Sequence, residues 1–244
     1  MAHSHLMVNR KASYMDDRIT RGLLDRLLPQ QCLLCDANVL SSVAICQACV
    51  SDLPRVPLAC LRCAAPTRYA DQPCGHCQQH PPPQKATLAP FAYAPPMDWL
   101  IQSLKFRGRI EIGRTLAELF VQVASPANPP DALIPVPLHP GRFQERGFNQ
   151  SEELARALAR QIDRPVLASV LRRGRPTEPQ TALDTAARRR NVRGAFGAAR
   201  RRLPERVVLV DDVITTGATT AEAGRALIRA GVKHLEVWAI ARTP

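Results

Sequence analysis

Asp211 and Asp212 stand side by side, and three residues after Asp212 begins Thr215-Thr216-Gly217-Ala218-Thr219. Carboxylates of this kind are acceptors suited to sugar hydroxyls, while threonine hydroxyls donate and a glycine lets the backbone approach a ligand closely. If a helix begins at the end of the run, the N–H groups of its first turn favour an anion. A ribose 5-phosphate would satisfy both halves of this stretch at once.

These residues need elements to hold them. Val207 to Val210 form an apolar, mostly β-branched run that reads as a strand buried on both faces. A helical pattern from Thr220 to Ala230, with Gly231 as its C-cap, and a further strand from Leu235 to Ala241 point to a parallel α/β sheet. Upstream, a strand over Ala132 to Val136 passes through Arg142, Arg146 and Gly147 into an amphipathic helix from Ser151 to Ile162. That is again the geometry of an anion site. A strand around Thr87 to Tyr93 and helices over Met97 to Phe106 and Ile110 to Ala124 precede it. The two helices meet at Lys105-Phe106-Arg107-Gly108-Arg109, either a charged helix end or a phosphate contact. The polar segment from Arg172 to Gln180 lacks core periodicity and has the character of a lid.

The cysteines form a repeat. Cys32/Cys35, Cys46/Cys49, Cys60/Cys63 and Cys74/Cys77 are Cys-x-x-Cys pairs that begin every 14 residues. Two thiolates on one tight turn reach a single tetrahedral zinc ion, so the four pairs supply two structural Cys₄ sites. Four pairs can combine in three ways, and sequential pairing keeps the loops short. Redox chemistry fits poorly, because none of the pairs opens a helical pattern. His76 and His80 are expected to face solvent. The segment holds too few apolar residues to fold without metal, and His80-Pro81-Pro82-Pro83 ends it as a stiff linker. Ahead of it, Ile19, Leu23, Leu24, Leu27 and Leu28 mark a short helix.

The chain of 244 residues has a formal charge of +12. Eleven arginines against Glu178, Asp184 and Glu205 between Leu171 and Arg206 concentrate that charge. Such a stretch favours polyanions, or else forms a solvated arginine-rich face. The sequence has neither an apolar run long enough for a membrane span nor the apolar core of a signal peptide, which places it in the cytoplasm.

In order along the chain come the zinc knuckles, Lys105-Phe106-Arg107-Gly108-Arg109, Pro135-Val136-Pro137-Leu138, Arg146-Gly147-Phe148-Asn149-Gln150, the set Arg175, Thr177, Gln180, Arg189, Asn191, Gly194, Ala195 and Phe196, and the acidic pair with its phosphate loop. This order resembles the ComF family of competence and DNA-utilisation proteins over nearly all residues after Gln31. The doubled zinc motif is similar to longer members; some relatives carry four cysteines. The resemblance implies a type I phosphoribosyltransferase fold, a mainly parallel sheet flanked by helices, with a small N-terminal Cys₄ zinc-ribbon module. The expected divisions are a tail and short helix over 1–30, a double zinc ribbon over 31–80 and a phosphoribosyltransferase-like domain over 81–244.

The implied ligand is phosphoribosyl pyrophosphate (PRPP) with magnesium. Asp211 and Asp212 would hold the ribose 2′- and 3′-hydroxyls, and Thr215, Thr216, Gly217, Ala218 and Thr219 would cradle the 5′-phosphate. Lys105, Arg107 and Arg146 would supply cations, and Arg175 in the lid would neutralise departing pyrophosphate. Two functions follow from the resemblance. One is a PRPP-binding protein of DNA uptake that handles single-stranded DNA among proteins of the competence machinery, with Phe148 or Phe196 as stacking groups. The other is an active phosphoribosyltransferase acting on a base or nucleotide acceptor.

Overall fold

Val207 to Val210 do lie at the centre of a parallel sheet. The computed structural model describes residues 30–41, 43–69, 72–124, 129–174, 192–199 and 202–243. The short helix expected over Ile19 to Leu28, and most of the lid with Arg175, fall outside these residues.

The described chain divides between Ser51 and Asp52 into two compact units. The first contains β1 (Gln30–Gln31), antiparallel to β2 (Asn38–Val39), and α1 (Gln47–Ser51). The second contains all the remaining elements. Cys60, Cys63, Cys74 and Cys77 therefore share a compact unit with the sheet. The physical reason is packing: Ala64, in the turn of this knuckle, is fully buried in the sheet's hydrophobic core, and Thr87 donates its hydroxyl to Arg62 O at 2.7 Å.

In that unit α2 (Gly75–Gln79) follows the last knuckle. The expected strand over Thr87 to Tyr93 is two pieces, β3 (Ala86–Leu88) and β4 (Phe91–Ala92), because both pair with different stretches of one partner strand. Next come α3 (Met97–Arg107), α4 (Glu111–Ala124) and β5 (Ala132–Pro135). A short helix, α5 (Pro140–Arg146), precedes α6 (Gln150–Ile162). The antiparallel pair β6 (Leu171–Arg173) and β7 (Phe196–Ala198) leads to β8 (Arg206–Ile214), α7 (Ala218–Arg229) and β9 (His234–Arg242).

The sheet order is β3-β9-β8-β5 with β4 also on β9, and every pairing in it is parallel. Alternation along β9 serves two layers. Leu235, Val237 and Ala239 join Ala223, Ala226 and Leu227 of α7 in one core cluster. Trp238, fully buried, meets Phe120 of α4 with ring centroids 5.4 Å apart. Helices α4 and α6 pack on each other, and α6 covers β5 and β8. Among the described residues no helix is long and apolar enough to cross a membrane.

Gly224 marks the tightest approach of α7. A Cβ there would sit 2.8 Å from Leu235 Cδ2 and 3.0 Å from Pro83 Cγ. Leu235 is fully buried and the Pro83 ring is rigid, so Gly224→Ala should destabilise the second unit by about 1–3 kcal/mol, as overpacked cores do. Urea denaturation with an unchanged m-value checks this.

Candidate functional site

The carboxyl ends of β5 and β8 open into a cavity of about 410 Å³. Its floor is built by β8, which runs further than its apolar stretch suggests. The strand continues through Asp211 to Ile214, because β9 supplies ladder partners, Asp211 opposite Ala239 and Val213 opposite Ala241. The acidic pair is thus held inside a strand, where its backbone is rigid.

The two carboxylates have different tasks. Asp212 is buried, with Oδ1 accepting from Val213 N at 2.8 Å and Oδ2 paired with Lys105 Nζ at 2.7 Å. Asp211 is half-buried, and its Oδ1 accepts from Ser151 Oγ at 3.0 Å and from Asp212 N at 3.0 Å. Burial pushes the Asp211 carboxyl up to about 6 despite the nearby Lys105 charge and the Ser151 bond. Burial also brings Lys105 down to about 8, against the pull of Asp211 and with the repulsion of Arg146 and Arg142. Each group therefore changes charge close to neutral pH.

A glycine-centred turn carries β8 into α7. Gly217, at φ 75°, has the left-handed conformation that glycine adopts without strain, and it is the N-cap. Its carbonyl accepts from Thr220 Oγ1 at 3.0 Å and from Ala221 N at 2.9 Å. Arg242 donates to Thr215 O at 2.8 Å, tying the loop to the end of β9. Thr215, Gly217, Ala218 and Thr219 line the cavity, where the positive end of α7 faces inward. Thr216 borders a neighbouring cavity instead.

The opposite wall comes from the Arg146-Gly147-Phe148-Asn149-Gln150 block. Gly147 ends α5 at φ 79°, which lets the chain reverse into α6. Asn149 caps α6 by accepting from Ser151 N at 3.1 Å, and its amide donates to Val136 O at 3.1 Å, fastening the helix start to the end of β5. Arg146 donates to Gln150 Oε1 at 2.6 Å and lies over the Phe106 ring at 4.8 Å. The cavity therefore collects Lys105, Arg142, Arg146 and Arg173 around the acidic pair.

Of the residues singled out from sequence, Lys105, Arg146, Asp211, Asp212, Thr215, Gly217, Ala218 and Thr219 meet in this cavity. Arg107 does not line it; its guanidinium sits 6.0 Å from the Trp99 ring, since α3 turns it to the outer face. Phe196 is buried in the core under Arg173 and offers no exposed stacking face, and Phe148 is half-buried. Ser151 and Arg173 were not picked out by sequence. Ser151 stands two residues after the N-cap asparagine Asn149, a signal that would have placed it on a helix's first turn beside a strand end.

The cysteines fall into two groups, Cys32/Cys35/Cys46/Cys49 and Cys60/Cys63/Cys74/Cys77, as sequential pairing expects. Within each, the sulfurs all lie within 4.8 Å of one another. The Cys35–Cys46 and Cys63–Cys74 sulfur separations are 3.6 and 3.9 Å, while a tetrahedral zinc with Zn–S of ~2.3 Å needs pairs about 3.8 Å apart. Cys46 N donates to Cys32 Sγ at 3.4 Å and Cys74 N to Cys60 Sγ at 3.1 Å. Burial raises the Cys32 and Cys60 thiols, but these and neighbouring backbone N–H groups outweigh it and bring them to about 6 and about 7. Thiolates so prepared fit zinc. His76 and His80 are exposed, outside both groups.

The double zinc ribbon domain family matches residues 23–78. Over 88% of this chain and 98% of its own length, the DNA utilization protein YhgH of Salmonella typhimurium is 36% identical. Competence protein F of Haemophilus influenzae is 35% identical over 87% of this chain and 96% of its own. Competence protein ComFC of Bacillus subtilis is 26% identical over 82% of this chain and 89% of its own.

Proposed function

Because the chain belongs to the ComF family of competence and DNA-utilisation proteins, we propose that it acts in DNA uptake, binding PRPP in the strand-end cavity and handling single-stranded DNA. The observation that carries the ligand assignment is the convergence of four cations, two carboxylates and a glycine-centred phosphate loop on one cavity. Thr215 to Thr219 and the start of α7 suit the 5′-phosphate. Lys105, Arg142, Arg146 and Arg173 suit the pyrophosphate, with the arginines offering forked donors.

Asp211 suits the ribose hydroxyls, since Asp212 is already committed to Lys105 and to its own backbone turn. Magnesium would enter with PRPP, ligated mostly by phosphate oxygens and by Asp211, and would supply charge neutralisation on the pyrophosphate. The names of the relatives support the setting in DNA uptake, and the arginine-rich run from Leu171 to Arg206 supports contact with DNA phosphates.

PRPP affinity is expected to be greatest between about pH 6 and about pH 8. Below about 6 Asp211 gains a proton and loses an acceptor; above about 8 Lys105 loses its charge. Equilibrium binding across this range checks the profile. Asp211→Asn should remove the acid-side fall that exceeds the titration of the ligand's own phosphate, and an unchanged acid limb in that variant would count against the assignment.

Transfer chemistry is a second reading, favoured by Asp211, whose carboxyl can exchange a proton near neutrality beside the ribose position. It predicts that PRPP, magnesium and a panel of bases release pyrophosphate with the parent protein and not with Asp211→Ala/Asp212→Ala. Equal background release by both rejects it.

A further inference from the structure

A second cavity, of about 610 Å³, shares Gly217 and Ala218 with the first and extends along α7 to the second Cys₄ group. All of its lining belongs to the second compact unit. We propose that this cavity holds a short segment of single-stranded nucleic acid, its phosphates on Arg193, Arg225 and Arg229 and a base against His76 and His80. The proposal rests on the reading of the chain as a protein that handles single-stranded DNA, and gives that activity a place.

The cationic wall is built, not incidental. Arg225 and Arg229 are four residues apart and so project from one face of α7. Arg193 joins them from the turn before β7, and all three are exposed. Glu222, the acidic residue on this face, is engaged on both oxygens: Oε1 accepts from Gly194 N at 2.9 Å and Oε2 from Arg225 at 2.7 Å. It therefore fixes the Arg193 turn against the helix, and its charge is spent locally. Among the described residues neither Arg193 nor Arg229 forms an ion pair. Two guanidiniums outside any salt bridge, beside a concave surface, suit phosphate.

The other wall carries rings. His76 lies in α2 and His80 caps its end; their centroids are 5.3 Å apart at 56°, and both are exposed. Unpaired bases stack on imidazole faces, whereas bases inside a duplex cannot enter a concave pocket. Phosphate-binding and ring-bearing walls on one cavity specify a single strand over a duplex.

The test is fluorescence anisotropy of a labelled oligothymidylate with the zinc-loaded full chain, titrated at several salt concentrations. The parent should bind with steep salt dependence. Arg225→Glu/Arg229→Glu should weaken binding more than about tenfold and flatten the log–log salt slope by about 1.4, corresponding to two lost phosphate contacts. Arg193→Ala, in a turn off the helix, should also weaken binding, as should His76→Ala/His80→Ala. PRPP affinity should change less than about twofold in all three, since the substituted groups lie outside the first cavity. Parent binding that survives unchanged in the folded variants overturns this cavity assignment and leaves the single-strand reading standing. A parent that binds no single strand at low salt overturns both, and stronger binding to duplex than to single strand overturns the proposed geometry.

Discussion

Cys60→Ser/Cys77→Ser should reduce bound zinc from about two ions per chain to about one and lower the melting temperature of the sheet-bearing unit by more than about 10 °C. These four thiols belong to the same compact unit as the sheet, and Ala64 in their knuckle is fully buried in its core. Structural zinc contributes about 10–16 kcal/mol of apparent binding energy in small metal-folded modules. That matches or exceeds the whole stability of a typical domain, about 5–15 kcal/mol. Even if half the knuckle's packing survives, a loss of about 5 kcal/mol corresponds to 10–20 °C for a unit of this size. Metal analysis by emission spectrometry and calorimetric melting would check both quantities. A normal melt with one zinc lost would mean that this knuckle hangs from the sheet without supporting it.

Asp211→Ala/Asp212→Ala should weaken PRPP binding by more than about 100-fold. Hydrogen bonds to a charged partner contribute about 1.5–3 kcal/mol each, so loss of the Asp211 acceptor for the ribose hydroxyls together with loss of the Asp212 hold on Lys105 costs about 3–6 kcal/mol. The two positions differ in how they act. Asp211 has an oxygen to offer, because only Oδ1 is occupied among the described residues. Asp212 works through Lys105, whose ammonium it holds at 2.7 Å against the cavity wall. Asp211→Asn alone should therefore lose most of the affinity for ribose 5-phosphate. Asp212→Asn should lose selectively for ligands that carry the pyrophosphate, because it frees Lys105. Affinity changes that do not divide in this way would remove the distinction between the two carboxylates.

What could be read from the sequence was whatever depends on local pattern. Val207 to Val210 announce a buried strand by composition, the 14-residue cysteine repeat announces two metal groups by spacing, and Leu154 and Leu158 announce α6 by periodicity. What could not be read depends on partners distant in the chain. Asp211 to Ile214 have no apolar run, and they stay extended because β9 completes their ladder. Helix α5 carries no apolar face; His139 accepting from Gly141 N and the left-handed Gly147 define its ends. Arg107 and Lys105 are two residues apart on one helix, yet 200° of rotation separates them, so one faces the cavity and the other faces Trp99. That the second cysteine group shares a compact unit with the sheet follows from burial of Ala64, which no local pattern announces.

The central claim is that the strand-end cavity is a PRPP site. Isothermal titration of PRPP with magnesium into the zinc-loaded chain near pH 7 tests it most directly. The expected result is saturable binding at about one site per chain, competed by ribose 5-phosphate and lost in Asp211→Ala/Asp212→Ala. Absence of saturable binding by the folded parent, or equal binding by the double variant, would contradict it.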